Sequence, residues 1–354
     1  MQIKHTTKRM KKTVIVLFVL SGILLAVLLA SLKYYRMFFG PNVLHTDGEP
    51  VELFIPSNPT YDEVLALITY SGALKDVKAF DRVARRKGYD RHTRGGRYLL
   101  RGGMSNNDLV NTLRGGYQTA VKVTFNNIRT ADNLAGILAR DLEPDSIAFL
   151  SAFRNDSLLS TMGLSRETLF ACILPNTYEM WWTTTPEAFL TRMKQENRKF
   201  WNDERRQKAA DIGLTPEEVA TLASIVDEET VKRDEKPRVA GLYLNRLKKG
   251  MRLQADPTIK FVLGDFTVKR ILTKDLEIDS PYNTYLYAGL PPGPIRMPSV
   301  AGIDAVLNFE AHDYLYMCAR EDFTGYHRFA RTLQQHNVNA AKYRRALRKL
   351  RIYR

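Results

Sequence analysis

The chain reads as an α+β protein: a single N-terminal transmembrane helix, a small βααβ module, then a larger mixed α+β domain. Three observations predict this. Residues 13–32 run TVIVLFVLSGILLAVLLASL without a charge, the length that spans a bilayer. Residues 51–101 set two amphipathic helical runs between two short strand-like ones. From 121 onward strand and helix signals mix, and the best-marked helix start stands at Thr215, Pro216 and Glu218, a capping box with proline at the first helical position.

Composition narrows the partners. The 354 residues are 44% hydrophobic, enough for about two domains with real cores. A net charge of +15 invites a nucleic-acid reading, but its distribution argues against one. Residues 1–40 and 341–354 each hold seven Lys/Arg and no acid, which leaves 39 basic residues against all 38 acids in between. The basicity belongs to the two tails, so no nucleic acid is expected as a partner. Cys172 and Cys318 sit among apolar residues and read as small buried thiols; a pairing in an oxidising compartment stays open. There is no CxxC, HExxH or phosphate-loop pattern, and neither metal nor organic cofactor is expected.

Residues 1–12 form a basic tail: Lys4, Lys8, Arg9, Lys11 and Lys12 precede the apolar run, and only Lys33 and Arg36 follow it closely. That asymmetry puts the N-terminus in the cytoplasm and everything beyond about residue 35 outside. A cleaved signal is the alternative, but the run is long for one and LLASLKYYRMFF is a poor cleavage site. Tyr34, Tyr35, Phe38 and Phe39 read as an interfacial aromatic belt at the start of a linker, 33–49. The module is expected at 50–118, with strand 51–56, helices 61–72 and 76–88, strand 95–101 and a short closing helix 105–116. That order resembles a LysM-like fold, which is associated with binding GlcNAc-containing glycans. Tyr61, Tyr70, Tyr89 and Tyr98 are candidates for stacking on sugar rings. The plainer alternative is a spacer whose tyrosines pack half-buried.

The second domain, 119–340, opens on a strand at 121–128 and helices at 129–142 and 145–153. LPNTYEMWW (174–182) gathers aromatics behind a proline. Tyr178, Trp181 and Trp182 are candidate walls of a sugar groove or ordinary core, and Glu179 is a candidate second carboxylate. Residues 187–211 read as one long charged helix with a solvated face. After the helix that starts at 215 comes an amphipathic helix at 237–249, then an insert and a Pro/Gly-rich loop that reads as stiff and surface-bound. A strand at 312–321 and its return lead into a closing helix. The basic tail, 341–354, reads as an exposed helix end suited to anionic lipid or wall polymer.

The stretch that carries chemistry is 215–295. Val219, Leu222, Ala223 and Val226 recur at i, i+3, i+4 and i+7, which gives its helix one buried face. Asp227, Glu228 and Glu229 end that helix. At 100° per residue Glu228 falls on the solvent side, whereas Glu229 falls at the edge of the apolar stripe. A carboxylate there is partly desolvated and near the negative end of the helix dipole. Both effects favour its neutral form, as a general acid working near neutral pH requires. The alternative is a helix-end acid turned to solvent or paired with Lys232 or Arg233.

IVDEET, NRLKKGMRLQADPT, YNTY and GLPPGPI, in this order and spacing, closely resemble the YceG-like family, the membrane-bound endolytic murein (lytic) transglycosylases. The resemblance is strongest over 215–295 and extends more weakly from the apolar run to His336. It implies a catalytic domain at 119–340 behind a LysM-like subdomain. The family's catalytic glutamate belongs to a Glu-Thr pair, here Glu229 and Thr230; where the family often has a glutamate two residues earlier, this chain has Asp227. Gln254, Asp256, Thr258, Asn283 and Tyr285 match family motifs and are candidates to bind substrate or to orient the Glu229 carboxyl, with Glu179 and Tyr178 as further candidates. Each is also readable as a turn or cap residue, Asp256-Pro257 above all. His327 and Phe329, with His336 and Asn337 beyond, match the family's closing segment.

The implied substrate is peptidoglycan glycan, alternating GlcNAc and MurNAc. Ordinary glycosidases use two carboxylates, whereas a lytic transglycosylase manages with one, which would make Glu229 both acid and base. The resemblance further implies cuts within nascent strands that leave 1,6-anhydroMurNAc ends. It implies a single-pass protein of the bacterial inner membrane, working outside the cytoplasm beside peptidoglycan synthases (penicillin-binding proteins) of elongation or division complexes. Two other readings stand beside it. One is a hydrolase with Glu179 or Asp256 as second carboxylate; the other is a membrane-anchored glycan-binding scaffold with an inactive site.

Overall fold

The computed structural model describes residues 3–44, 48–268 and 270–350, the side chains of 3–11 and 13 excepted. The outer ends of the expected basic tails (1–2 and 351–354), the tail side chains Lys4, Lys8, Arg9 and Lys11, and linker residues 45–47 lie outside the described residues. The chain divides into two compact units, Met1–Val121 with Glu179–Thr183, and Lys122–Tyr178 with Thr184–Arg354.

The first unit opens with α1 (Ile3–Phe39). Its part Val14–Phe39 is long and apolar enough to cross a membrane, and from Val14 to Leu32 its apolar side chains are exposed all round. The helix does not give way to a linker at 33. It runs on to Phe39, and its last turn docks: Met37 and Phe38 pack on the unit's core, and the Met37 carbonyl accepts from Asn106 Nδ2 at 2.9 Å. Phe38 therefore packs on the module instead of forming part of an interfacial belt. β1 (Val51–Ile55), α2 (Tyr61–Tyr70), α3 (Val77–Arg86), β2 (Gly96–Leu100) and α4 (Asn106–Gly115) follow. β1 and β2 pair antiparallel with Val51 opposite Leu100, so Leu53, Ile55, Tyr98 and Leu100 share the buried face by the period of two. Thr60 and Glu63 form a capping box on α2, and Asp76 and Ser105 cap α3 and α4, each worth about 1 kcal/mol. Asn42 ties the segment after α1 to both helices, since its Nδ2 donates to Asn106 Oδ1 at 2.7 Å and its Oδ1 accepts from the Asp76 N–H at 2.8 Å. Tyr61, Tyr89 and Tyr98 are buried, so three of the four candidate sugar platforms are core, as the plainer alternative has it; Tyr70, 93% exposed, is the open one.

The second unit takes in most of β3 (Val121–Phe125), then α5 (Ala131–Asp141), α6 (Ser146–Phe153), α7 (Asp156–Thr161) and α8 (Leu169–Cys172). β4 (Asn176–Met180) pairs with β3. The long charged helix expected at 187–211 is two helices, α9 (Pro186–Phe200) and α10 (Asp203–Asp211). Trp201 breaks it by turning into the core, 2% exposed, and Asn202 caps α10 by accepting from the Arg205 N–H at 3.0 Å. α11 (Pro216–Glu229) starts on the Thr215/Glu218 capping box and is buried on every side from Val219 to Asp227, more than the single apolar face expected. Around it pack α8, α12 (Lys236–Lys248), α13 (Asp256–Leu263) and α14 (Val300–Leu307).

A hairpin of β5 (Tyr316–Ala319) and β6 (His327–Ala330) and the helix α15 (Leu333–Lys349) close the unit. β5 is shorter than the expected 312–321 because side chains of α12 take the carbonyls ahead of it. Asn245 Nδ2 donates to those of His312 and Tyr314, and Arg246 Nε to that of Leu315. The Pro/Gly loop is at the surface only in its first part, where Pro292 is exposed: from Gly293 to Met297 it is buried, with the Ile295 N–H on Ser224 Oγ at 3.0 Å. A Cβ on Gly293 would lie 2.0 Å from the Glu167 carbonyl oxygen, so glycine is required there. Cys172 and Cys318 are both free thiols.

Candidate active site

The last turn of α11 directs three consecutive carboxylates to three different places, as 100° per residue dictates. Asp227 points inward. Lys236 Nζ donates to its Oδ1, and the Ser299 N–H and hydroxyl donate to it at 2.6 and 2.9 Å. Gly302 leaves room for it, since a Cβ there would stand 2.6 Å from Asp227 Oδ1. Glu228, expected in solvent, is instead half-buried between two arginines: Arg129 donates to both its oxygens and Arg296 Nη1 to Oε1 at 2.5 Å. Neither carboxylate is available for chemistry.

Glu229 points into a cavity of about 240 Å³ lined by Leu242, Tyr243, Arg246, Leu253, Gln254, Asp256, Tyr285, Cys318 and His327, among others. It pairs with neither Lys232 nor Arg233. Its Oε1 accepts from the Tyr243 hydroxyl at 2.6 Å. Burial pushes its carboxyl up to about 7; the Tyr243 hydrogen bond opposes this, Asp256 adds to it, and the His327 and Arg246 charges pull it down. At neutral pH both protonation states are populated.

α12 supplies Tyr243 and Arg246 from one face, three residues apart. Arg246 holds two walls together, with Nη1 on the Leu253 carbonyl and Nε on the Leu315 carbonyl, both at 2.6 Å. Gln254 sits in the left-handed region at φ +49°, its N–H on the Thr284 carbonyl at 3.0 Å. A non-glycine residue held there by a neighbouring segment marks a position the fold over-determines. Asp256 accepts from the Tyr285 hydroxyl at 2.5 Å across the cavity rim.

Of the residues expected from sequence, Glu229, Gln254, Asp256 and Tyr285 line this one cavity. Thr258 and Asn283 lie behind it, fully buried. Thr258 Oγ1 meets Thr284 Oγ1 at 2.9 Å, and Asn283 Nδ2 donates to the Leu276 and Ile278 carbonyls while its Oδ1 accepts from the Tyr285 N–H. They shape the 283–285 turn and do not reach the cavity. Tyr178 is core: it stacks on Phe125 with centroids 5.3 Å apart and donates to the Leu174 carbonyl. Tyr178 does not line the cavity, and Glu179, exposed on β4, belongs to the first unit. Sequence reasoning gave no role to Tyr243, Arg246 or Glu235. The first two were covered only by the amphipathic helix expected at 237–249, whose pattern does not say which neighbour each side chain meets.

A model of the YceG-like family matches residues 53–342. The chain is similar to the endolytic murein transglycosylase of Bacillus subtilis, at 27% identity over 313 residues that cover 83% of this chain and 84% of that protein. It is also 27% identical to the endolytic murein transglycosylase of Streptococcus pneumoniae (strain R6) over 364 residues, covering 92% of this chain and 65% of that protein. The crystal structure of a yceG-like protein from Listeria monocytogenes shares its fold at a TM-score of 0.54 and 25% identity, over 82% of this chain and 99% of that one.

Proposed function

The chain belongs to the YceG-like family, and on that basis we propose that it is an endolytic lytic transglycosylase of peptidoglycan with Glu229 as its single acid and base. The observation that carries this reading is the Glu229 carboxyl itself, on the cavity wall with a pKa of about 7 and one oxygen committed to Tyr243. Tyr243 occupies Oε1, which leaves Oε2 to carry the working proton. That proton passes to the glycosidic oxygen between MurNAc and GlcNAc as the C1–O bond breaks through an oxocarbenium-like state. The carboxylate then takes the proton of the MurNAc C6 hydroxyl as its oxygen bonds C1, closing the 1,6-anhydro ring and regenerating the acid. No water is consumed.

Gln254, Asp256 and Tyr285 are the candidate contacts to sugar, with Thr258 and Asn283 fixing the backbone that carries them. Asp256 shares the cavity and would be the second carboxylate of a hydrolase. Its commitment to the Tyr285 hydroxyl favours a holding role instead. In this reading α1 is the single-pass anchor in the inner membrane, with the second unit outside the cytoplasm. Residues 50–118 of the first unit are a LysM-like module that spaces the site or meets GlcNAc, and the enzyme terminates strands beside peptidoglycan synthases.

The test is digestion of purified glycan strands by the detergent-solubilised full chain, with Glu229→Gln alongside, read by mass spectrometry of the ends. Internal fragments ending in 1,6-anhydroMurNAc, absent with Glu229→Gln, are expected. Reducing ends would mean a hydrolase, and intact strands bound by the wild type would mean a scaffold.

A further inference from the structure

A second carboxylate sits near Glu229 without entering the cavity. Glu235, 2% exposed at the start of α12, accepts the His327 backbone N–H at 2.7 Å on one oxygen, and His327 Nδ1 lies 2.9 Å from the other. A carboxylate can only accept, so Nδ1 carries the proton and Nε2 is the nitrogen left to the cavity that His327 lines together with Glu229. β6 delivers the ring and α12 the carboxylate, 92 residues apart in sequence.

Resting on the reading of Glu229 as acid and base, we propose that Glu235 holds His327 as an imidazolium facing Glu229, a positioning pair that stabilises the Glu229 carboxylate as its proton leaves. The proton path is unchanged: Glu229 to the glycosidic oxygen, then the C6 hydroxyl to Glu229. His327 neither gains nor loses a proton over the cycle. Its charge matters at the moment when a negative charge forms in a desolvated place, where a fixed cation acts most strongly.

The other ionisable groups around the ring leave this assignment standing. α11 presents Glu229, and α12 presents Tyr243 and Arg246. Asp256 and Tyr285 line the same cavity, Cys318 is on the paired strand β5, and α15, which packs on both strands, carries His336, held below its ordinary value by burial and the Arg246 and Arg344 charges. Burial works against a charged imidazole, but the Glu235 hydrogen bond and charge, with a contribution from Glu229, outweigh it and hold His327 above its ordinary value. Glu235 is held low in turn: burial raises it, but the two His327 hydrogen bonds, the ring charge and Thr230 prevail. His327 and Glu229 thus titrate as a coupled pair.

The experiment is the pH profile of kcat/KM on glycan strands for the full chain in detergent, with His327→Gln. For the wild type the alkaline limb is expected to fall as two protons are lost, one from each group. His327→Gln should lower the plateau about 100-fold, reduce the limb to one proton and move its midpoint upward. A plateau loss with slope and midpoint unchanged would make the pair mere packing and overturn the proposal. An NMR titration of the His327 ring gives an activity-independent arm. Its pKa should fall in Glu229→Gln and fall further in Glu235→Gln, which keeps an acceptor for the His327 N–H. A ring that titrates unchanged in Glu229→Gln would also overturn it. Failure of the wild type to make 1,6-anhydro ends would instead overturn the proposed reaction and leave the NMR coupling readable.

Discussion

The Tyr243 hydroxyl lies 2.6 Å from Glu229 Oε1, donated from one helix to the end of the one before it, so each side chain sets the ionisation of the other. Burial, then the Glu229 charge and hydrogen bond, hold the tyrosine well above its ordinary value. In return its hydroxyl draws the glutamate down against burial. Tyr243→Phe removes that donor with little change of shape. The Glu229 carboxyl should then titrate higher, and the alkaline limb of the pH profile should move up with it. Turnover at neutral pH should fall about tenfold, the worth of one hydrogen bond to a charged group. A limb that stays in place or moves down would show that Tyr243 does not set the acid.

The same raised carboxyl makes stability depend on pH with a definite sign. Glu229 titrates near 7 in the fold against an ordinary 4.5. Below the ordinary value it is protonated in both folded and unfolded chains and costs nothing. As pH rises through the interval the unfolded chain ionises first, and the folded state loses about 3 kcal/mol by the time pH passes 7. Glu229→Gln abolishes that loss. Unfolding followed at about pH 4 and about pH 8.5 should show the variant equal to wild type at the first and more stable by that amount at the second. Equal stabilities at both would mean that Glu229 is not desolvated.

How much of this was legible in the sequence follows from how local each interaction is. The Thr215/Glu218 capping box closes within four residues and is readable from spacing, whereas Gln254, Asp256 and Tyr285 joined Glu229 only through the family resemblance, whose motifs lie in one continuous stretch. Glu228 was read as solvent-facing because its partners, Arg129 and Arg296, lie 99 and 68 residues away. The Glu235–His327 pair spans 92 residues, and nothing in either local pattern announces it. Tyr178 carries the same ring whether it walls a groove or stacks on Phe125, and only tertiary packing decides which. The break at Trp201 was hidden because a charged helical pattern continues on both sides, and the preference of one large ring for the core outweighs it.

The buried support under the site makes a stability prediction. Lys236 is the cation against Asp227, whose side chain is 3% exposed, and Ser299 supplies the remaining donors. Lys236→Met leaves that carboxylate buried without its counter-charge and should cost about 3–5 kcal/mol. Gly302→Ala should cost about 1–3 kcal/mol by pressing a methyl on Asp227 Oδ1. Denaturant midpoints check both. If Lys236→Met unfolds no more easily than Gly302→Ala, the ion pair is not what anchors the last turn of α11.

The docked end of α1 predicts where the chain can be cut. Met37 and Phe38 pack on the core of the first unit, Asn106 holds the Met37 carbonyl, and the Arg86 guanidinium lies 5.8 Å from the Tyr34 ring centroid. A chain beginning at residue 33 loses the exposed apolar part of the helix and keeps all of these contacts. A chain beginning at residue 41 loses them and uncovers the apolar surface beneath. Two partly buried side chains and one hydrogen bond are together worth about 2–3 kcal/mol. Hydrogen exchange of the β1 and β2 amides reports the first unit separately from the second. Faster exchange is expected in the shorter chain and not in the longer one, with the second unit unchanged in both. Identical protection in the two chains would mean that the last turn of α1 contributes nothing to the module on which it lies.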